Sequence, residues 1–252
     1  MTDPATVASL PPPRAGRLRL PRAVRERQML EVAEQVFAER GYHAASVEAI
    51  AEGAGITKPM VYAYFGSKEG LYLACMKRAR RRVFEAIDGA AAADAPPDEA
   101  LWRGLVAFFA FVSEERASWL LLSGDALSQG GAIAAEGAKF RRLMARLVTQ
   151  LLGEAAAAEG HTSARLQATE PLAHALVGAA EALAAWWVEH PQHTTEAVAL
   201  RLMNLAWLGF GDLVRGEAWT PPESGARVHD GQRAALRGPA QPSDPLEATR
   251  LP

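Results

Sequence analysis

Cysteine is almost absent from this sequence. Cys75 is the single cysteine among 252 residues, so no intrachain disulfide can form and a reducing cytoplasm is the expected location. Cys75 falls within a periodic helical segment, where a buried structural thiol is more common than a reactive one. We therefore expect a structural role for it.

Long apolar runs free of charge are also missing. No stretch of 18 apolar residues lacks a charged residue, and the N-terminus has no continuous apolar core of the signal-peptide kind. The sequence therefore predicts no membrane span and no membrane partner.

The signatures of common enzymes and metal sites are absent as well. The chain has no Gly-x-Ser-x-Gly elbow, no phosphate-cradling glycine loop and no spaced cluster of metal ligands. His190 and His193 invite a metal interpretation, but Pro191 between them disrupts the helical i, i+3 geometry. We expect no enzymatic activity, no catalytic residues, no cofactor and no metal.

The charges that are present divide unevenly along the chain. Residues 14–82 contain 14 Lys/Arg and 7 Asp/Glu, whereas residues 83–252 contain 13 and 21. A basic N-terminal part and an acidic C-terminal part suit a protein that binds a polyanion and carries a separate sensing domain. The net charge of −2 conceals this asymmetry.

The most informative segment, residues 46–68, reads SVEAIAEGAGITKPMVYAYFGSK. Ser46 is placed to cap a first helix. Gly55 supplies the positive φ of a sharp turn, Thr57 caps a second helix, and Pro59 fits that helix's first turn. This layout is typical of a helix-turn-helix, whose second helix enters the major groove of DNA.

The polar and exposed residues of this segment predict the DNA contacts. Lys58 and Lys68 supply phosphate charge and Tyr62 a phosphate hydrogen bond, while base edges or thymine methyl groups are faced by Thr57, Pro59, Tyr64 and Val47. The predicted set is Ser46, Val47, Thr57, Lys58, Pro59, Tyr62, Tyr64 and Lys68. An ordinary helical hairpin with solvated Lys and Tyr is the alternative, and the agreement of cap, glycine, inward aliphatics and exposed polar residues favours DNA binding.

From about Arg22 to Met76 the sequence resembles the N-terminal domain of the tetracycline-repressor (TetR) family of bacterial regulators. The resemblance is carried by Ile56-Thr57-Lys58-Pro59-x-Val61-Tyr62-x-Tyr64-Phe65-x-x-Lys68-Glu69-x-Leu71. It implies an all-α homodimer, with an N-terminal three-helix helix-turn-helix domain followed by a helical ligand-binding and dimerisation domain. Val47 is a departure, because many members carry threonine there.

Periodicity and punctuation predict the organisation of the whole chain. Helices are expected near 22–40, ending at Gly41, and near 67–88 with Ser67 as cap, then near 98–115, 117–128, 131–158, 169–190 and 194–215. The predicted units are a disordered basic tail (1–20), the helix-turn-helix domain (21–66), a connecting helix (67–88), a ligand-binding and dimerisation domain (98–216) and a disordered tail (217–252).

Two groups of basic residues leave alternatives open. Arg14, Arg17 and Arg19 of the N-terminal tail either follow DNA phosphates and the minor groove or only solvate the tail. The KRARRR run at 77–82 is a second candidate contact, yet Arg82 lies about 21 Å along a helix from Lys68. For this run a solvated or domain-bridging face is favoured.

Large aromatic residues among the middle helices either pack the core or frame an effector pocket. Pockets are mostly apolar with a few placed polar groups. The candidate lining residues are Trp102, Phe108, Phe109, Trp119, Phe140, Arg141, His174, Glu181, Trp186 and Trp207.

The last two helices, about 169–215, alternate aliphatic and small residues, which suits a homodimeric four-helix bundle. The alternative is that they only close the monomer's core. Our hypothesis is a cytoplasmic regulator, with a repressor preferred, which binds a roughly palindromic double-stranded DNA operator as a homodimer and is released by a small, largely apolar effector. A transcriptional activator and an effector-independent DNA-binding protein of the same fold are the alternatives.

Overall fold

The computed structural model describes residues 21–90, 95–124, 130–158 and 163–214. Every regular element in these ranges is an α-helix, which confirms the predicted all-α class. The tails predicted at 1–20 and 217–252, including Arg14, Arg17 and Arg19, lie outside the described residues.

The helices follow one another through short connections. They are α1 Arg22–Ala44, α2 Val47–Gly53, α3 Lys58–Phe65, α4 Lys68–Ala90, α5 Pro97–Glu114, α6 Arg116–Ser123, α7 Gly131–Ala158, α8 Ser163–Glu189 and α9 Thr195–Val214.

The largest differences from the predicted boundaries are at the end of α6 and the start of α8. Helix α6 ends at Ser123, because Gly124 leaves the helical region with φ −79 and ψ −138. Helix α8 begins at Ser163 and continues through Pro171. The stretch before Pro171 is rich in good helix formers, so the helix starts there and accommodates the proline.

Local chemistry fixes the ends of the N-terminal helices. Gly41 has φ 71 and interrupts α1 where its end is predicted, although one more turn follows to Ala44. Ser46 Oγ accepts a hydrogen bond from Ala49 N at 3.1 Å, and Ser67 Oγ accepts one from Gly70 N at 2.9 Å. Both predicted serine caps are confirmed.

The turn between α2 and α3 has the predicted form with one difference. Gly55 has φ 63, a conformation that costs side-chain-bearing residues energy. Thr57 occupies the N-cap position of α3, but its side chain makes no capping hydrogen bond. Its position is as predicted, while the expected hydroxyl bond is absent.

A continuous apolar core joins the N-terminal unit, α1–α3, to the later helices. Phe37 packs edge-on against Tyr72 with ring centroids 4.9 Å apart. Cys75 is fully buried, with Sγ 3.9 Å from the Leu30 carbonyl oxygen. Burial raises the pKa of the Cys75 thiol well above its usual range, so the thiolate is disfavoured, as expected of a structural thiol.

One segment, Glu170–Glu189 of α8, is long and apolar enough to span a membrane by length and composition, with a mean hydropathy of 1.2. This is weak evidence, because helices of soluble proteins pass the same test. Glu181 lies in the middle of the segment and is bonded to Arg141 of α7, as is usual in a packed helical domain.

We expect Gly55→Ala and Gly89→Ala to change stability in opposite directions. A Cβ at either position meets nothing within 4 Å, so backbone conformation alone decides. Gly55→Ala forces a side chain to positive φ and should lower the free energy of unfolding by about 1 kcal/mol. Gly89→Ala lies in the exposed end of α4 and should raise it by about 0.5 kcal/mol. Urea unfolding at one protein concentration measures both, and equal effects would contradict the assigned turn.

Candidate nucleic-acid interface and interior cavity

Helix α3 presents one buried face and one exposed face. Val61 is 1% exposed and anchors the helix in the core, whereas Tyr62 is 39% exposed on the other side. Thr57, Lys58 and Pro59 at the start of the helix are also exposed. Four of the eight predicted DNA contacts, all at α3, are therefore exposed to solvent.

Val47 does not share this surface. It is the first residue of α2 and is only 4% exposed, packed within the core. Its prediction as a base contact is wrong, because α2 packs onto the core with the Val47 side chain inward.

Lysine side chains of the interface are already engaged by the protein. Lys58 forms an ion pair with Glu48 of α2, and this hydrogen bond raises the pKa of Lys58 and lowers that of Glu48. Lys68 Nζ donates to the His43 carbonyl oxygen at 3.0 Å and lies 4.9 Å from the ring centroid of Tyr42. Both cations are thus oriented before any DNA arrives.

Two arginines that the sequence reasoning missed support the same surface. The guanidinium of Arg22 lies 5.0 Å from the ring centroid of Tyr64, a favourable cation–π distance. Arg25 Nη1 approaches Met60 Sδ at 3.5 Å. Helix α1 therefore adds two positive charges beside α3. The basic residues at the start of α1 were the sequence feature that could have predicted this.

A buried carboxylate joins the N-terminal unit to the rest. Glu34 of α1 is 4% exposed; its oxygens lie 3.4 Å from Arg78 Nη1 and 3.3 Å from Arg82 Nη1. Ser118 Oγ of α6 donates to it at 3.4 Å. Burial is the largest influence on the pKa of Glu34 and raises it, while the two arginines and the serine act in the opposite direction. We call these four residues the Glu34 cluster.

The Glu34 cluster decides between the alternatives for the basic run at 77–82. Arg82 also pairs with Glu115, between α5 and α6. Arg80 Nη1 lies 3.0 Å from Glu136 of α7, close enough for an ion pair although without hydrogen-bond geometry. These arginines bridge helices, in agreement with the domain-bridging alternative that the distance from Lys68 favoured.

An interior cavity of about 70 Å³ lies between α4, α5, α7 and α8. Its lining is apolar except for the carboxylate of Glu181. The described lining residues are Ile87, Leu101, Gly104, Leu105, Phe108, Phe140, Met144, Leu147, Val148, Leu151, Leu176, Val177, Ala180 and Glu181.

The cavity includes only part of the predicted pocket set. Phe108, Phe140 and Glu181 line it. The other predicted residues do not: Trp119 and Phe109 fill the core, Trp102 packs against it, Arg141 bonds to Glu181, and His174, Trp186 and Trp207 are exposed. Composition could not separate rings that fill space from rings that border it.

The aliphatic part of the lining was missed. It comes from residues at helical spacing on α5, α7 and α8, which in sequence look the same as ordinary core positions. Whether such a face closes completely depends on the packing of three helices, so no local signal identified the cavity.

Comparison with known proteins gives consistent results for both halves of the chain. Residues 29–75 match the family model described as bacterial regulatory proteins, tetR family, and residues 97–209 match the tetracyclin repressor-like C-terminal domain. The "HTH-type transcriptional activator FasR" of Mycolicibacterium smegmatis is 36% identical over 104 residues, covering 41% of this chain and 48% of FasR. The chain thus spans about half the length of that curated relative.

Solved structures show the same fold over most of the described chain. A TetR-like transcriptional regulator from Rhodococcus sp. RHA1 is 41% identical, with a TM-score of 0.65, covering 77% of this chain and 99% of that one. FadR from Bacillus subtilis, solved in complex with stearoyl-CoA, has a TM-score of 0.62 at 16% identity, covering 71% and 96%. The second likeness concerns the fold alone.

The Glu34→Gln variant tests the electrostatics of the Glu34 cluster. Because the folded pKa of Glu34 is raised from 4.5, the native state retains a proton that the unfolded state loses, and stability falls as pH rises through that interval. Glutamine does not titrate, so the unfolding free energy of the variant relative to wild type should increase as pH rises from about 4.5 towards 7. Denaturant unfolding at several pH values measures this.

Glu39→Gln is the matched control, since Glu39 lies exposed on the same helix and has no ion pair among the described residues. The profile of Glu34→Gln should differ from that of Glu39→Gln as well as from that of the wild type. A parallel profile for Glu34→Gln would contradict the raised pKa.

Proposed function

We propose that this chain, which belongs to the tetR family of bacterial regulatory proteins, is a ligand-responsive transcription regulator that binds a roughly palindromic operator as a homodimer. The observation that carries the proposal is the exposed face of α3, which presents Lys58 and Tyr62 beside the basic start of α1. Lys58 and Lys68 contact phosphates, Tyr62 donates to a phosphate, and Thr57, Pro59 and Tyr64 approach base edges. Ser46 contributes by capping α2.

Support for a homodimer comes from the outer surface of α8 and α9. Leu205 is 68% exposed, Leu200 50%, Trp207 39% and Trp186 38%. Exposed large apolar side chains grouped on two helices indicate an interaction surface. Other large apolar residues of the same two helices lie in the monomer's core, so each helix has one inward and one outward apolar face; these are Leu176, Trp187, Val198 and Leu202.

The effector site in this proposal is the cavity bordered by α4, α5, α7 and α8. Its apolar lining favours a small, largely apolar effector. Ile87 of α4 lines the cavity and lies little more than one turn beyond Arg82 of the Glu34 cluster. An effector that moves Ile87 shifts α4 against α1, which changes the spacing of the two recognition helices and lowers operator affinity.

A repressor released in this way is our preferred form of the function. FasR is named an activator, so an activator with the same operator contacts is the second candidate. We also propose a cytoplasmic location and no catalytic activity, in line with regulators as the matched family.

Operator binding tests the assigned contacts, starting from a site selected out of random oligonucleotides. Lys58→Gln should lower affinity for all sequences alike and reduce the slope of log affinity against log salt by about 0.9, because one phosphate contact is lost. Lys77→Gln is the control: Lys77 is exposed on α4 and lies about 13 Å along the axis from Lys68, so its slope should not change. An unchanged slope in Lys58→Gln would refute that contact, and the absence of any selected sequence would refute the function.

The dimer surface is tested by Leu205→Arg. A buried arginine in an apolar helix interface lacks a partner, so the variant should sediment as a monomer and lose most of its operator affinity. Ala86→Arg adds the same charge to an exposed position of α4 and should leave the dimer intact. Sedimentation equilibrium distinguishes the two, and a monomeric wild type would contradict the proposal.

A further inference from the structure

His43, in the last turn of α1, is the only histidine of the N-terminal unit α1–α3. Its side chain is exposed, and its ring lies edge-on to that of Tyr42, with centroids 5.4 Å apart. Among the described residues neither ring nitrogen has a hydrogen-bond partner, whereas Nδ1 of His190, just after α8, lies 2.8 Å from the Trp186 carbonyl oxygen. The imidazole of His43 is therefore available to a group from outside the protein.

This imidazole lies beside a proposed phosphate contact. Lys68 Nζ donates to the backbone carbonyl oxygen of His43 at 3.0 Å and lies 4.9 Å from the centroid of the Tyr42 ring. The bond uses one of the three donors of the ammonium, so two remain for DNA. Because the lysine and the imidazole both border the Tyr42 ring, a DNA strand that meets Lys68 also passes close to His43.

The charges near His43 leave it without a fixed anionic partner. The charged and titratable groups on the elements that meet here are Arg40 and Tyr42 of α1, Glu48 of α2, and Lys68 and Glu69 of α4. Glu48 is paired with Lys58, and Glu69 is exposed with no ion pair among the described residues. Burial and, after it, the charge of Glu69 raise the pKa of Tyr42, so its phenol remains neutral near pH 7. Neither carboxylate bonds to the imidazole, which leaves its protonated form free to pair with a phosphate.

We infer that His43 is a further DNA contact and takes up a proton when the protein binds its operator. Histidine changes charge between pH 5 and 8, and an imidazolium that donates to a phosphate oxygen makes a charge-assisted hydrogen bond. Operator affinity therefore rises as pH falls through this range. The inference rests on the proposed operator contact of Lys68 and adds to it a dependence on proton concentration.

Calorimetry measures this proton directly. The purified full chain is titrated with its selected operator at pH 7 and constant salt, once in PIPES and once in Tris, whose enthalpies of ionisation differ. The change in apparent binding enthalpy between the two buffers gives the number of protons taken up. Wild type should take up roughly half a proton or more for each protomer, because the phosphate favours the charged ring. Its operator affinity should fall at least about fivefold from pH 6 to pH 8.

Three variants assign the proton to its residue. His43→Gln is uncharged at every pH, so it should show no uptake and an affinity independent of pH. His43→Arg is charged at every pH, so its affinity should also be independent of pH and at pH 8 should exceed that of wild type, which a merely structural histidine does not predict. His174→Gln is the matched control: His174 is exposed on α8, which packs against α5, α7 and α9, and this variant should behave as wild type.

The salt dependence reports the same contact independently. At pH 6 the slope of log affinity against log salt should be steeper for wild type than for His43→Gln by up to about 0.9 for each protomer, and at pH 8 the two slopes should nearly agree.

The outcomes separate this inference from the proposed function. If wild type selects an operator but binds it without proton uptake, or if His43→Gln retains the uptake, the contact of His43 is refuted and the proposed function stands. The same holds if His43→Arg binds no more tightly than His43→Gln at pH 8, because a permanent charge at this position then meets no phosphate. If no operator is selected at any pH, the proposed function fails and the inference fails with it.

Discussion

The burial of Glu34 constrains how the N-terminal unit attaches to the rest of the molecule. A carboxylate that is 4% exposed is costly to ionise unless charged or polar partners surround it. Here the partners come from two other helices: Arg78 and Arg82 from α4 and Ser118 from α6. Because removing any partner leaves an uncompensated buried group, α1, α4 and α6 are held together as one unit.

Helix α4 carries this constraint to both functional regions. Its first residue, Lys68, bonds to the carbonyl of His43 at the end of α1. Its middle holds the two arginines of the Glu34 cluster, and its last turns place Ile87 on the cavity wall. A single helix therefore touches the base of the proposed DNA-contacting surface, the buried carboxylate and the cavity proposed as the effector site. A physically continuous element of this kind offers a route for energetic coupling between the two proposed sites.

The sequence predicted the N-terminal unit well because its geometry is encoded locally. Ser46, Ser67, Gly41 and Gly55 each determine a backbone feature within a few residues, and the structure bears out all four. Val47 was misassigned because being next to a cap does not reveal which way a side chain turns. That direction is set by how α2 packs onto the core.

The sequence predicted an apolar pocket among the middle helices but not most of the residues that line it. Phe109 and Trp119 are buried, and Trp186 and Trp207 are exposed, so neither pair borders it. Whether a ring fills, borders or avoids a space depends on contacts between helices far apart in sequence. The start of α8 at Ser163 was missed for a different reason, since Pro171 was expected to limit the helix and the stretch of good helix formers before it continues through the proline.

The ion pair between Lys58 and Glu48 bears on how the protein searches a genome. In the proposed operator complex, Glu48 competes with the DNA phosphates for Lys58, so the ion pair must separate before Lys58 can contact a phosphate. A chromosome offers about 10⁶–10⁹ competing positions, so weaker retention at each of them shortens the time lost on irrelevant sequence. Weaker binding to non-specific DNA thus favours discrimination between sites and faster sampling of the genome.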